Sequence, residues 1–211
     1  MNDFLDNLYG VLFRPNDTLK KITGEQKIGQ GLVVLILSSV FPLMAAFQRP
    51  NFRFTYALPP GVPWHIRHII PQMGPYFLLI GIIAVILFRP AMMFVYTGVL
   101  HLLSSFMGGR GSGRGLYAGL CFSTLPMVFG APVTFISRIS GISFINAPLY
   151  FIFFVWMILL QITSIKQNND FPTITAVVIF FLPWLFLIGV MIFMMIFVFA
   201  GAVPFIIPYF R

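Results

Sequence analysis

The sequence predicts an all-α fold, a polytopic membrane helical bundle of five transmembrane helices (with six the alternative) and its N-terminus in the cytoplasm. Three observations lead there. Of 211 residues, 59% are hydrophobic and 9% charged, and the mean hydropathy is +0.94, whereas a soluble domain carries roughly a quarter charged residues. Thirteen Lys and Arg with five Asp and Glu cannot supply a polar surface for a chain of this length, so lipid must be the main solvent. The apolar residues also come in runs of about 20, enough at 1.5 Å per residue to cross a ~30 Å hydrocarbon core, and no Asp or Glu interrupts any run.

Residues 1–27 read as a cytoplasmic amphipathic segment ahead of a single membrane domain, 28–211. Phe4, Leu5, Leu8, Tyr9, Val11 and Leu12 recur at near-helical spacing until Arg14-Pro15-Asn16 ends the pattern, and Asp17-Thr18 offers a cap for a second short helix through Ile22. Such helices usually lie on the membrane surface, as an anchor or as a docking helix for a soluble partner. The first crossing is 28–47. A signal peptide is the rival reading, but 27 largely polar residues precede the run and Gln48-Arg49-Pro50 follows it in place of small residues.

Residues 48–75 are a loop rich in prolines, with Pro63-Trp64-His65 suited to the headgroup layer and a surface-lying segment expected from Trp64 to Ile70. The run 76–107 would measure about 48 Å as one helix. Arg89-Pro90 divides it, because Pro90 removes a helix hydrogen bond and disfavours helical geometry at Arg89. The piece 76–88 would reach only about 20 Å, so one helix kinked at 89–90 is preferred over a hairpin, which would add a sixth crossing. The remaining crossings are 116–136, interrupted by Pro126 and Pro132, then 149–165, then 173–199 with Pro183 inside it.

Loop charge sets the orientation. With the N-terminus inside, Arg14, Lys20, Lys21, Lys27, Arg110, Arg114 and Lys166 face the cytoplasm, against Arg49, Arg53, Arg67, Arg138 and Arg211 outside. The densest clusters, 20–27 and 110–114, directly flank spans, where the positive-inside rule weighs most.

The net charge of +8 does not point to nucleic acid, because the basic residues form no stripe interleaved with stacking aromatics. Cys121 is alone, which excludes an intramolecular disulfide and a cysteine metal cluster and suits a small buried hydrophobe. His65-x-x-His68 lacks a third ligand nearby, and neither a nucleophile elbow, paired aspartates nor a His-Glu-x-x-His site is present. No enzyme chemistry, cofactor or metal is expected.

Arg89 and His101 are the ionisable residues inside the apolar runs, and such residues are functional candidates. Arg89 would bind an anionic lipid or substrate, satisfy carbonyls freed by Pro90, or snorkel. His101 reads as a hydrogen-bonded packing residue or a solute contact. The glycine block around Gly108, Gly109, Gly113 and Gly115 lacks the Gly-Lys-Ser/Thr of a phosphate loop. It reads as a tight interhelix turn, with Gly115 and Gly119 allowing close helix approach and Arg110 and Arg114 offered to lipid phosphate.

Leu8-Tyr9-Gly10-Val11-Leu12-Phe13-Arg14-Pro15, followed by Thr18-Leu19 and Ile22, resembles the opening of the Ypt/Rab-interacting protein (Yip) family. His101-Leu102-Leu103, Gly108-Gly109, Ser112-Gly113, Tyr117 and Leu125-Pro126 resemble that family's block joining its second and third spans. Five crossings with a cytosolic N-terminus are what the resemblance implies. Asn7 and Val11 stand where the eukaryotic Asp-Leu-Tyr-Gly-Pro signature has Asp and Pro, which argues against binding of Rab-type GTPases. The resemblance therefore implies the compact prokaryotic branch, and a bacterial plasma membrane over a eukaryotic endomembrane.

With 26 Phe and 11 Met on broad, deformable apolar faces, the expected function is that of a non-catalytic scaffold or accessory subunit. It would bind a partner membrane protein or a second copy of itself and organise membrane lipids. The alternative is a transport protein whose proline-broken helices line a path for a lipid, hydrophobic or anionic solute, with Arg89 or His101 touching it.

Overall fold

The computed structural model describes residues 2–47, 63 and 74–206, and the regular structure among them is helical. In chain order the elements are α1 (Asn2–Phe13), α2 (Pro15–Glu25), α3 (Ile28–Phe47) and α4 (Gly74–Phe106). After them come α5 (Gly113–Phe122), a 3-10 segment (Leu125–Phe129), α6 (Gly130–Ser140), a 3-10 turn (Ser143–Ile145), α7 (Asn146–Asn169) and α8 (Thr173–Ile206). Five spans are long and apolar enough to cross a membrane: Ile28–Ala45, Tyr76–Phe106, Gly113–Ser137, Asn146–Asn169 and Thr173–Val198. The surface segment expected at 64–70, together with His65 and His68, lies outside the described residues.

Pro90 sits inside one continuous α4 of 33 residues, so 76–107 is one long element and not a hairpin. The third crossing is the opposite case. α5 ends at Phe122, Pro126 falls in the first turn of the 3-10 segment, and α6 resumes the helix at Gly130. Proline costs little in a first turn, where its missing N–H would have no intrahelical acceptor. The fourth crossing is longer than the apolar run 149–165, because Pro148 is accommodated in the first turn of α7 and the polar end Lys166–Asn169 stays helical. Pro183 lies inside α8 without ending it.

The N-terminal segment departs furthest from its expectation. The second helix opens at Pro15, ahead of Thr18, since proline's fixed φ suits the first helical position. The two helices also do not lie apart on the membrane surface. α2 packs against α7 and α5, and Val11, Leu19 and Ile22 are fully buried with Val34, Ala118, Phe122, Leu125 and Leu160 in one core cluster. The flank of α1 that carries Leu5, Tyr9 and Phe13 stays exposed, as do Asp3 and Asp6. The N-terminal amphipathic segment is thus the cap of the bundle, closing the end from which α3 starts.

A second cluster joins α3, α4, α5, α7 and α8 through Leu35, Leu100, Leu116, Leu120, Ile165 and Ile179. Where apolar lipid competes with apolar side chains, close packing needs small residues. Gly115 and Gly119 supply it: a Cβ at Gly115 would run into the carbonyl of Thr23, and one at Gly119 into the hydroxyl of Ser164. The third crossing accordingly lies at the centre, 56% buried against 6–22% for the others.

Candidate functional site

At the capped end, three helices leave a cavity of about 590 Å³ between them. α4 contributes Phe94, Thr97, Gly98 and His101, at positions i, i+3, i+4 and i+7 and therefore on one face. The start of α5 contributes Gly113, Arg114 and Tyr117, and α3 contributes Ile28. Tyr117 is held in place by its hydroxyl, which donates to the Pro90 carbonyl at 3.3 Å, and by an edge contact to Phe94 at 6.3 Å between ring centroids. Thr97 spends its hydroxyl on the Met93 carbonyl at 2.7 Å, leaving its methyl to the wall.

His101 and Arg114, singled out separately in the sequence, meet at this cavity. The His101 ring lies against Gly113, where a Cβ would come within 3.2 Å of the imidazole carbon Cδ2. Its Nδ1 is buried with no hydrogen-bond partner, so the packing role expected for it is not a hydrogen-bonded one. Arg114 follows Gly113 in the first turn of α5, which Ser112 caps by accepting from the Gly115 N–H at 3.0 Å. Among the described residues the Arg114 side chain has no ion-pair partner.

The other two cationic candidates are elsewhere. Arg110 is exposed in the turn after α4 and does not line the cavity. Arg89 is exposed near the middle of α4, roughly 18 Å along the helix from His101. It hydrogen-bonds to none of the described residues, so it does not take up a carbonyl freed by Pro90.

The glycine block answers to a partner that sequence reasoning missed. Gly108 takes a positive φ of 83° to end α4, and the following loop runs over the end of α7. There the Gly111 N–H donates to Asn169 Oδ1 at 3.1 Å, Asn169 Nδ2 donates to the Ile165 carbonyl at 3.0 Å, and a Cβ on Gly111 would run into Asn168. The signal was a pair of asparagines two residues after an apolar run. Ile28, Phe94 and Thr97 were also unannounced, being ordinary apolar or hydroxyl residues until the fold set them opposite Arg114.

Several other charges at this end are paired. Asp3 takes Lys27 and, at 2.9 Å, Lys21, and Lys27 also reaches Glu25 at 2.7 Å. Those hydrogen bonds hold the Asp3 carboxyl well below the usual carboxylate range. Burial opposes the charge on Lys27, but its bonds to Asp3 and Glu25 outweigh that and raise its pKa.

No group of three or more His, Cys, Asp or Glu that could hold a metal occurs among the described residues. Comparison with curated proteins finds no match, and neither does comparison with solved structures. A family model described as the Yip1 domain matches residues 9–207, nearly the whole chain, and takes in the end of α1, all of α2, the glycine-rich turn and the five spans. With that match over five membrane-crossing segments, the chain is an integral multi-pass membrane protein and belongs to the Yip1 domain family.

Proposed function

We propose that this protein is a non-catalytic accessory subunit of a bacterial plasma membrane, one that packs against a partner membrane protein or a second copy of itself and organises the lipid around the contact. Arg89 carries the reading. It is exposed in mid-α4 between Phe88 and Met92, each 64% exposed, and every Asp and Glu of the chain lies outside the spans. A cation facing hydrocarbon is costly, and intramembrane charges are almost always paired or turned toward protein or water. A carboxylate or a carbonyl on a neighbouring helix would satisfy it. The bare faces of α4 and of the outer part of α8 offer the area, and the Yip1 family is not known for enzymatic activity.

Transport is the weaker reading. Its structural support is the unwound centre of the third crossing, but the hydroxyls there are already used. Ser123 donates to the Gly119 carbonyl, Thr124 to the Cys121 carbonyl, and Ser38 to Thr124.

Purification in a gentle detergent followed by native mass spectrometry tests the proposal. The expected result is a complex that weakens severalfold in Arg89→Leu. A lone, lipid-free monomer, identical for the wild type and the variant, would sink it. Liposome flux that falls in His101→Ala would favour transport instead.

A further inference from the structure

The cavity at the capped end has the layout of an amphiphile site. His101, Gly113 and Arg114 lie within about two turns of the helix ends that meet there, Thr97 lies one turn further along α4 with its hydroxyl already bonded, and Phe94 lies about two turns beyond His101. Phe94 and Gly98 are exposed on the outer side of α4, so the cavity adjoins the lipid. Its volume of about 590 Å³ is within the ~300–1,000 Å³ that takes a drug-sized molecule, enough for a headgroup phosphate and part of one acyl chain.

The charged end breaks a local rule. Arginine in the first turn of a helix opposes the macrodipole, which is itself positive there. No acid relieves it: Asp3, Asp6, Asp17 and Glu25 belong to α1 and α2, Asp170 follows α7, and none of them lines the cavity. Arg114, which is exposed, and His101 therefore line one cavity with the N–H groups of Gly113 and Arg114, while Ser112 takes that of Gly115, and no anion of the chain meets them. The apolar wall beside them excludes a purely water-borne anion as the best fit.

We propose that this cavity binds one anionic phospholipid, its phosphate against Arg114, His101 and the α5 N-terminus and an acyl chain along Phe94 and Tyr117. The inference specifies a ligand for the lipid-organising part of the function proposed above, but it is read from the cavity and not from Arg89.

The test uses purified full-length protein in detergent and a fluorescent phosphatidylglycerol, displaced by unlabelled phosphatidylglycerol, phosphatidylcholine or inorganic phosphate. Phosphatidylglycerol is expected to compete at least tenfold better than phosphatidylcholine. Arg114→Gln should weaken binding about tenfold, and Arg110→Gln less than twofold. Gly98→Phe supplies a second arm, because a Cβ at Gly98 meets nothing within 4 Å, so the ring fills the cavity without disturbing the packing and should abolish lipid binding. If inorganic phosphate displaces the probe and Gly98→Phe changes nothing, the site takes a free anion and the lipid assignment is overturned. Equal binding by wild type, Arg114→Gln and Gly98→Phe overturns the site altogether. Wild-type protein that binds phosphatidylglycerol but purifies as a lone monomer would overturn the accessory-subunit reading alone.

Discussion

The third and the fifth crossings obey opposite rules. The third, Gly113–Ser137, is the least apolar of the five spans and the most buried, at 56%, whereas the fifth, Thr173–Val198, is the most apolar and only 11% buried. In water the ranking would be reversed. In a bilayer an apolar side chain gains little by leaving lipid, so burial goes to the segment that can pack closely and satisfy its own polar groups. Gly115, Gly119, Ser123 and Thr124 allow that in the third crossing. In the fifth, Ala176, Ile179 and Phe180 pack near the capped end, while Trp184 through Val198 are exposed on every side. One crossing organises the bundle, and the other leans on it with its first turns and meets lipid or a partner with the rest.

Matched substitutions in the two crossings put the contrast at risk. The largest effect is expected at Phe122, which is fully buried: Phe122→Ala should cost on the order of 3–5 kcal/mol, while Phe193→Ala in the fifth crossing stays within about 0.5 kcal/mol. Thermal unfolding followed by size-exclusion chromatography compares them, and equal losses would refute the division of roles. Next comes a glycine pair. Gly119→Leu must displace Ser164 and Thr23 and should cost about 1–3 kcal/mol, whereas Gly189, whose Cβ would meet nothing within 4 Å, should accept leucine with no measurable loss.

A smaller effect separates the hydroxyls. Ser38 donates to Thr124 at 2.9 Å across the α3 contact, and Thr124→Val should cost about 0.6 kcal/mol, the average for such membrane hydrogen bonds, with no further loss when Ser38→Ala is added. Additive losses would mean that the two hydroxyls act independently.

The smallest effect concerns the cap, through pH. Asp3 is held below its ordinary value of 3.8, so the stability it lends is present above that value and is lost as pH falls through the lower, folded pKa. Lys27 is raised above its ordinary 10.5, so its share is present below that value and is lost as pH rises past the folded pKa. Hydrogen-exchange protection factors in α1 and α2, taken relative to the intrinsic rate at each pH, should therefore stay flat between those limits and fall outside them, and Asp3→Asn should lower protection at neutral pH. A protection factor that falls between pH 5 and 8 in the unmodified chain would contradict the assignment.

The five crossings were legible because lipid demands one property over about 20 consecutive residues, and that property can be summed along the chain. The family could be read from Leu8-Tyr9-Gly10 and from the block that runs from His101 to Pro126, which is matched within residues 9–207. The site was legible only in part. His101 and Arg114 stood out because ionisable groups are rare near apolar runs, yet nothing local indicated that these two converge while Arg89 and Arg110 stay apart. The cap was misplaced for a related reason. An amphipathic pattern says that a helix has an apolar face, and Leu19 and Ile22 look the same whether lipid or Phe122 covers them.

By itself the sequence determined the solvent, the number of crossings, the proline that falls inside α4 and the want of carboxylates within the spans. Each of these follows from the kind of residue present and its distance along the chain. Only the tertiary structure decided which crossing lies at the centre, that α1 and α2 seal one end, and that Arg114 and His101 line one cavity. These depend on small gaps such as the one where Gly119 lets Ser164 approach, and hydropathy, which reports affinity for lipid, carries no record of which helices come close enough to exclude it.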